Sequence, residues 1–447
     1  MSNALPNLSL EMLRRMLVAH GVQQLLVKEL AANDNSKNQP YLGGSLDILN
    51  LLPMGEVREE TTAAGRSGLK APLPFSWLRE DGTLTEAPNT QLILYPQYPE
   101  IRLSGFLKGT RGGPNELMTA RQAGRLLFFG ITADRRIIGW VTAPDSPLAD
   151  EIRALGELQR TGIFQHVPIG TADTSRDRLL RKLRDIHALG WLPSQRLYTG
   201  GVVGPCTGTN CGGYTLESHL DIVPNGRAEP DFEGWEIKGH TVTDFVRYSS
   251  GPLTLMTPEP TGGYYKSDGP EAFVRKYGYA DKAGRPDRLN FGGVHKLGET
   301  HAGTGLTMQF IGYDPVRNRV TDPKGGFTLA DAVGNEAATW HFAGLLAHWN
   351  KKHAKAAYVP FRARTEPDQQ YRYGARVRLA EDTDFLRFLQ AMALQKVYYD
   401  PGIKVEGAST RRPIVKRRSQ FRIRSNDIAC LYATMTETDV TSAKTDF

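Results

Sequence analysis

The residues best placed to do chemistry lie in one stretch, Gly212 to His240, which reads GGYTLESHLDIVPNGRAEPDFEGWEIKGH. Asp231 follows a proline there, and Glu236-Ile237-Lys238 comes shortly after. If Trp235 to Lys238 is a strand, its side chains alternate, so Glu236 and Lys238 share one face while Ile237 turns to the core. Asp231 then enters from the preceding turn. Two carboxylates on a strand and its adjoining turn suit a hard divalent cation such as Mg²⁺, which takes oxygen ligands and keeps room for a water and a phosphate oxygen. The Lys238 ammonium can steady an attacking hydroxide or the charge that builds on phosphorus. Taken alone the spacing is weak, because an exposed strand with a surface Glu–Lys pair would look the same.

The resemblance around these residues reaches further. YTLES, then PDFEGWEIK, preceded by a helix ending in LGWLPSQR, resembles the PD-(D/E)xK nucleases of the MvaI/BcnI restriction endonuclease family, which is similar in turn to the MutH mismatch-repair nicking enzyme. It covers residues 176–435 in outline, with the motif block as its specific part. The resemblance implies an α/β, MutH-like catalytic domain with a mixed central sheet flanked by helices. It also implies a site made of Glu217, Asp231, Glu236 and Lys238. In that site Asp231 and Glu236 ligate Mg²⁺, with Mn²⁺ as a substitute and the Ile237 carbonyl as a third ligand. Lys238 orients or helps activate the water, and Glu217 binds a second metal or holds Lys238 and the water in place. Without the resemblance, Glu217 reads as an ordinary helix acid. The tight connection from Asp231 to Glu236 requires a short hairpin.

The reaction implied is hydrolysis of double-stranded DNA to leave a 5′-phosphate, by a chain that can work as a monomer. Sequence-specific restriction is the first expected use. A nuclease effector of antiphage defence, gated by a partner protein or a ligand, is the second, and MutH-type strand nicking the third. The rival from another class is a non-catalytic DNA-binding module.

The elements that must position this site follow from periodicity and punctuation. Arg176 to Leu189 places Leu179, Leu180, Leu183 and Ile186 on one face and stops at Gly190, which predicts an amphipathic helix. Glu336 to Lys352 and Asp382 to Gln395 also read as helices, each running into strand-like text, AAYVPFRA and KVYYD. Near the start, Ser9 is placed to cap a helix with Leu10, Leu13, Met16 and Leu17 at helical spacing, followed by turn text, AANDNSKNQPYLGG. Phe75 to Val141 is strand-like, and TAPDSPLA at Thr142 to Ala149 is the expected boundary. The expected organisation is therefore an N-terminal accessory domain, β-rich or mixed α+β, over 1–148, and the nuclease domain over 149–440. The accessory domain is read either as a specificity or sensing module, with aromatics beside Arg102, Lys108, Arg111 and Arg121, or as a buttress. The final MTETDVTSAKTDF reads as a frayed tail.

Charge points to a polyanion. The formal net charge is +7, and Ala408 to Arg424 holds seven basic side chains and no acid. Arg411, Arg412, Lys416, Arg417 and Arg418 are expected to contact the DNA backbone. Lys266 to Gly305 reads as a polar, Gly-rich loop that offers His295 and Lys296, with His301, Arg285 and Arg288 nearby, to base edges or phosphates. Cys206 and Cys211 are expected as reduced loop cysteines; a zinc site would need two more ligands, such as His219 and His240. With 40% hydrophobic and 23% charged residues, fibrous and fully disordered classes are excluded. No apolar run is long enough to span a membrane and no signal pattern opens the chain, so a cytoplasmic location is expected.

Overall fold

The computed structural model describes residues 8–32, 39–43, 51–61, 67–95, 100–170, 175–224, 230–246 and 251–442. It divides into two compact units, Met1–Asp173 and Thr174–Phe447.

In the first unit Ser9 caps the helix Leu10–Ala19, its Oγ accepting from the Met12 N–H at 3.2 Å. Leu10, Leu13 and Leu17 turn inward. They pack with Leu25, Val27, Phe128 and Ile138 of a seven-stranded sheet in which Val22–Leu30 pairs antiparallel with Arg125–Thr132. A second sheet has five strands, in the order Tyr41–Gly43, Glu100–Ser104, Gln91–Tyr95, Ser67–Pro72, Arg58–Thr61. TAPDSPLA is the start of a helix in this unit. Ser146 accepts from the Ala149 N–H, and Leu148, Ala149 and Ile152 of the helix Pro147–Ala154 enter the same core. The strand Phe164–Val167 pairs with Val22–Leu30, which keeps this unit going to Asp173. Residues 33–38 and 44 of the turn text and 96–99 of the strand-like text lie outside the described residues.

The second unit is built on Lys355–Arg364. This strand runs parallel to Glu236–Thr241 and antiparallel to Gln370–Tyr373 and Arg376–Glu381, so the sheet is mixed. Thr434–Asp439 extends it as an edge strand against Arg376–Glu381. MTETD is therefore ordered pairing rather than a frayed tail, its polar side chains suiting an edge; residues 443–447 lie outside the described residues. The helix Ser175–Ala188 buries Leu179, Leu180, Leu183 and Ile186 against one face, meeting Ile237, Val359, Tyr371 and Val377. Gly190, at φ +73°, turns the chain away after it.

Three expectations are corrected here. Glu336 to Lys352 is not one helix: Glu336–His341 is a strand paired with Gly326–Ala330, and only Phe342–His353 is helical. Ala337 to Trp340 is buried throughout, and a short apolar run buried on both sides has no periodicity to tell strand from helix. Lys266 to Gly305 is not a loop. It begins inside the helical segment Tyr264–Tyr277, broken at Gly269, and contains the strand Arg288–Gly292. Asp382 to Gln395 holds the shorter helix Phe385–Ala393, capped by Asp384, whose Oδ1 accepts from the Arg387 N–H at 2.7 Å.

Candidate active site

The strand Glu236–Thr241 and the turn before it are set by a two-residue hairpin. Phe232 and Trp235 exchange backbone hydrogen bonds of 2.9 and 2.7 Å. Glu233 and Gly234 between them have φ of +44° and +90°. Both central residues positive is the primed-turn geometry that favours a tight antiparallel return. The helix Ser175–Ala188 holds this hairpin from one side. The Arg178 Nε donates to Glu233 Oε2 at 2.7 Å, and the Trp235 indole donates to Ser175 Oγ at 3.2 Å. Trp235 is fully buried beneath it.

The hairpin presents Asp231 to the strand. Asp231 Oδ2 accepts from the Ile237 N–H at 2.9 Å, a side chain capping the open edge of the strand. Ile237 faces the core, while Glu236, only 2% exposed, forms an ion pair with the Lys238 ammonium. Burial pulls the Lys238 ammonium down, but Glu236, then Asp231, then Glu217 more than offset this and hold it above its ordinary value. The three carboxylates named from the sequence thus all lie within electrostatic reach of the Lys238 ammonium.

Glu217 comes from the helix Cys211–His219, whose seat on the sheet is made by glycines. A Cβ on Gly239 would lie 3.6 Å from the Cα of Gly213, and one on Gly213 would lie 3.9 Å from Glu217 Oε1. The Tyr373 hydroxyl adds a 2.7 Å hydrogen bond to the Gly212 carbonyl. Behind the strand lies a buried polar chain the motif did not announce. Tyr358, opposite Lys238 in register, shares a 3.0 Å hydroxyl–hydroxyl hydrogen bond with Tyr432, which lies 3.3 Å from His353 Nδ1. His353 Nε2 lies 2.9 Å from the Leu255 carbonyl. Glu236 raises the pKa of both tyrosines, adding to the larger effect of burial. Its members are far apart in sequence, so no spacing could have revealed it.

The donor set is oxygen throughout, and three carboxylates against one ammonium leave a formal charge of −2, which matches a divalent cation. Among the described residues no three His, Cys, Asp or Glu side chains are grouped so as to hold a metal ion by themselves. Mg²⁺ does not require one, since one or two carboxylates with waters and phosphate oxygens suffice. Asp231, Glu236 and the Ile237 carbonyl fit that pattern.

The expected DNA-binding residues divide. His295 is fully buried, stacked 4.3 Å from His301 and 5.3 Å from Phe291, with Nε2 bonded to Thr304 Oγ1 at 3.0 Å. It is a core residue, which corrects its expected place at base edges. Lys296 is half-buried on the same segment. Arg411, Arg412, Arg417 and Arg418 are exposed, with no ion pair among the described residues. Lys416 is exposed too but pairs with Glu406 at 2.7 Å, so part of this charge is already neutralised. Arg288 pairs with Asp281 at 3.2 Å and is largely buried, whereas Arg285 is exposed.

Cys206 and Cys211 form a disulfide, which corrects the reduced-cysteine expectation and removes them as zinc ligands. The turn between them brings their Cα atoms to 5.7 Å, within bonding range.

A profile of the MvaI/BcnI restriction endonuclease family matches residues 180–432, more than half of the chain and all of the site just described. The chain belongs to this family. Membership of a restriction endonuclease family makes it an endodeoxyribonuclease. Among solved structures, the complex of restriction endonuclease MvaI with cognate DNA is 16% identical, with a TM-score of 0.46, over 60% of this chain and 99% of that one. MvaI in the absence of DNA has the same identity and coverage and a TM-score of 0.33. The family match, not these superpositions, carries the assignment. No curated protein matches the chain. Among the described residues no helix is long and apolar enough to cross a membrane.

Proposed function

We propose that the chain is a type II-like, sequence-specific restriction endonuclease that hydrolyses double-stranded DNA with Mg²⁺ at a PD-(D/E)xK site formed by Glu217, Asp231, Glu236 and Lys238. The observation that carries this reading is the Glu236–Lys238 pair on a buried strand whose next amide is held by Asp231. Asp231, Glu236 and the Ile237 carbonyl would hold the cation. Bound there, it would supply Lewis-acid charge to the scissile phosphate and favour ionisation of a water. Lys238 orients that water and offsets charge on the phosphorane oxygens. Glu217, near the same ammonium, holds Lys238 and the water in line. The P–O3′ bond breaks, leaving a 5′-phosphate. The mixed sheet with helices on it is read as a MutH-like core, and the first unit as an accessory domain.

The test is cleavage of unmodified plasmid and phage DNA with Mg²⁺, wild type beside Lys238→Ala, followed by sequencing of the ends. Discrete ends sharing a short motif, lost in the variant with DNA binding kept, are expected. A rate loss on the order of 10²–10³ matches removal of one charge-stabilising donor. Equal cleavage by the variant would refute the site.

A further inference from the structure

The second unit carries a small hairpin separate from its main sheet. Gln195–Tyr198 pairs with Val202–Pro205 as an isolated two-stranded ribbon, turned by Gly200 and Gly201 at φ +88° and +80°. Tyr198 is 45%, Val202 62% and Val203 52% exposed. Tyr198 and Val202, opposite in register, share one face of the tip and Val203 lies on the other, so the ribbon shows apolar side chains on both faces.

The base of this ribbon is fixed to the Glu217 helix. The Gln195 N–H donates to Thr215 Oγ1 at 3.1 Å, and its Nε2 donates to Ser218 Oγ, the neighbour of Glu217, at 2.9 Å. The Ser194 hydroxyl donates to the Cys206 carbonyl at 2.6 Å, and the Cys206–Cys211 disulfide ties the returning strand to the first residue of that helix. The ribbon is thus a rigid extension of the element that carries Glu217.

Its charge is one-sided. From Trp191 to Leu216 there is no Asp or Glu. The Arg196 guanidinium lies 4.5 Å from the Tyr214 ring and 5.5 Å from that of Tyr198, without an ion pair among the described residues. A cation–π contact of this kind holds the guanidinium over the rings, and its terminal nitrogens are the groups that would donate to a phosphate. Four strand residues at about 3.4 Å each carry the tip roughly 10–14 Å beyond the Gln195 anchor. The major groove is about 8.5 Å deep and admits a two-stranded ribbon.

We infer that the hairpin 195–205 enters a groove of the DNA beside the cleaved phosphate, with Tyr198, Val202 and Val203 against base edges and Arg196 on the backbone. This rests on the reading of Glu217 to Lys238 as the nuclease centre, because the duplex held there must pass the element on which the ribbon is mounted. Apolar tips suit thymine methyl groups, so the ribbon contributes to sequence choice rather than to charge attraction.

The test uses the full chain and linear plasmid DNA without divalent metal. A benzophenone amino acid placed at Val202 crosslinks to the DNA on irradiation; the same group at Val316, 93% exposed on another turn, does not. Val202→Asp weakens binding about tenfold or more, the effect of losing a base-edge contact, while Val316→Asp does not. Tyr198→Ala weakens binding without adding charge, and Arg196→Ala lowers the salt slope by about 1. Equal binding by Val202→Asp and Val316→Asp, or DNA bound with no crosslink at Val202, overturns the inference. Loss of cleavage in Lys238→Ala alongside that result leaves the nuclease reading standing. Cleavage kept in Lys238→Ala removes the nuclease reading whatever the crosslinks show.

Discussion

Gly212 lies against the ring of Phe361 so closely that a Cβ built on it would come within 2.3 Å of a ring carbon. Phe361 cannot swing aside cheaply, because it is buried and packed edge-on to Tyr371 and Tyr373. Gly212→Ala therefore forces the Glu217 helix away from the sheet, at a cost of about 1–3 kcal/mol as for other overpacked cores. The urea midpoint should fall at constant slope. Gly208→Ala, whose Cβ would meet only Cys211 Sγ at 3.9 Å, should leave it unchanged.

Asp231 has two duties that a single substitution can separate. Its Oδ2 accepts from the Ile237 N–H, a bond the amide oxygen of an asparagine can keep, whereas its charge serves the cation. Asp231→Asn keeps the turn and gives up only its part of the support for the Lys238 ammonium, so it should lose no more than about 1 kcal/mol. The Mg²⁺ concentration giving half-maximal cleavage should rise by about tenfold or more. Unchanged Mg²⁺ dependence in Asp231→Asn, with stability kept, would show that the residue is only a turn cap.

How far the sequence reached depends on whether a feature is local. The Ser175–Ala188 helix and its buried face follow from spacing along one element, and so do the alternation at Glu236 to Lys238 and the short hairpin before it. The resemblance supplied Glu217, which no local pattern singles out. What stayed hidden depends on partners distant in sequence. The seat of Gly212 on Phe361 and the Tyr358–Tyr432–His353 chain exist only once the sheet has formed. The ribbon 195–205 was missed although its signal was present: LYTGGVVG places two glycines between β-prone residues, the composition of a tight hairpin turn. His295 shows the opposite error, a polar residue in Gly-rich text that the fold buries.

His240 and His295 make the fold acid-sensitive. Burial, the first cause in each, holds both imidazoles down at about 4. Between pH 6.5 and 4 the unfolded chain therefore binds protons that the folded chain does not, so stability falls as the pH falls through that window. At full protonation each contributes a loss of about 3 kcal/mol from its shift. Melting followed from pH 7.5 to 4.5 should show the drop beginning below pH 6.5. His295→Gln should remove about half of the drop, His240 supplying the rest, at the expense of some stability at neutral pH.

The basic segment should act through phosphate contacts that differ from one side chain to the next. Arg411 and Arg412 are exposed and make no ion pair among the described residues, so each can displace counterions from DNA at full charge. Lys416 already faces Glu406 at 2.7 Å, and binding DNA would require it to share or leave that partner. Arg411→Ala and Arg412→Ala should each lower the slope of log affinity against log salt by about 1. Lys416→Ala should lower it by less, and Glu406→Gln should raise it by freeing the ammonium. Because these contacts carry no base information, the sequence at the cut ends should stay the same in all four variants while the rate at low DNA concentration changes. A changed cut motif in Arg412→Ala would instead place that guanidinium on a base edge.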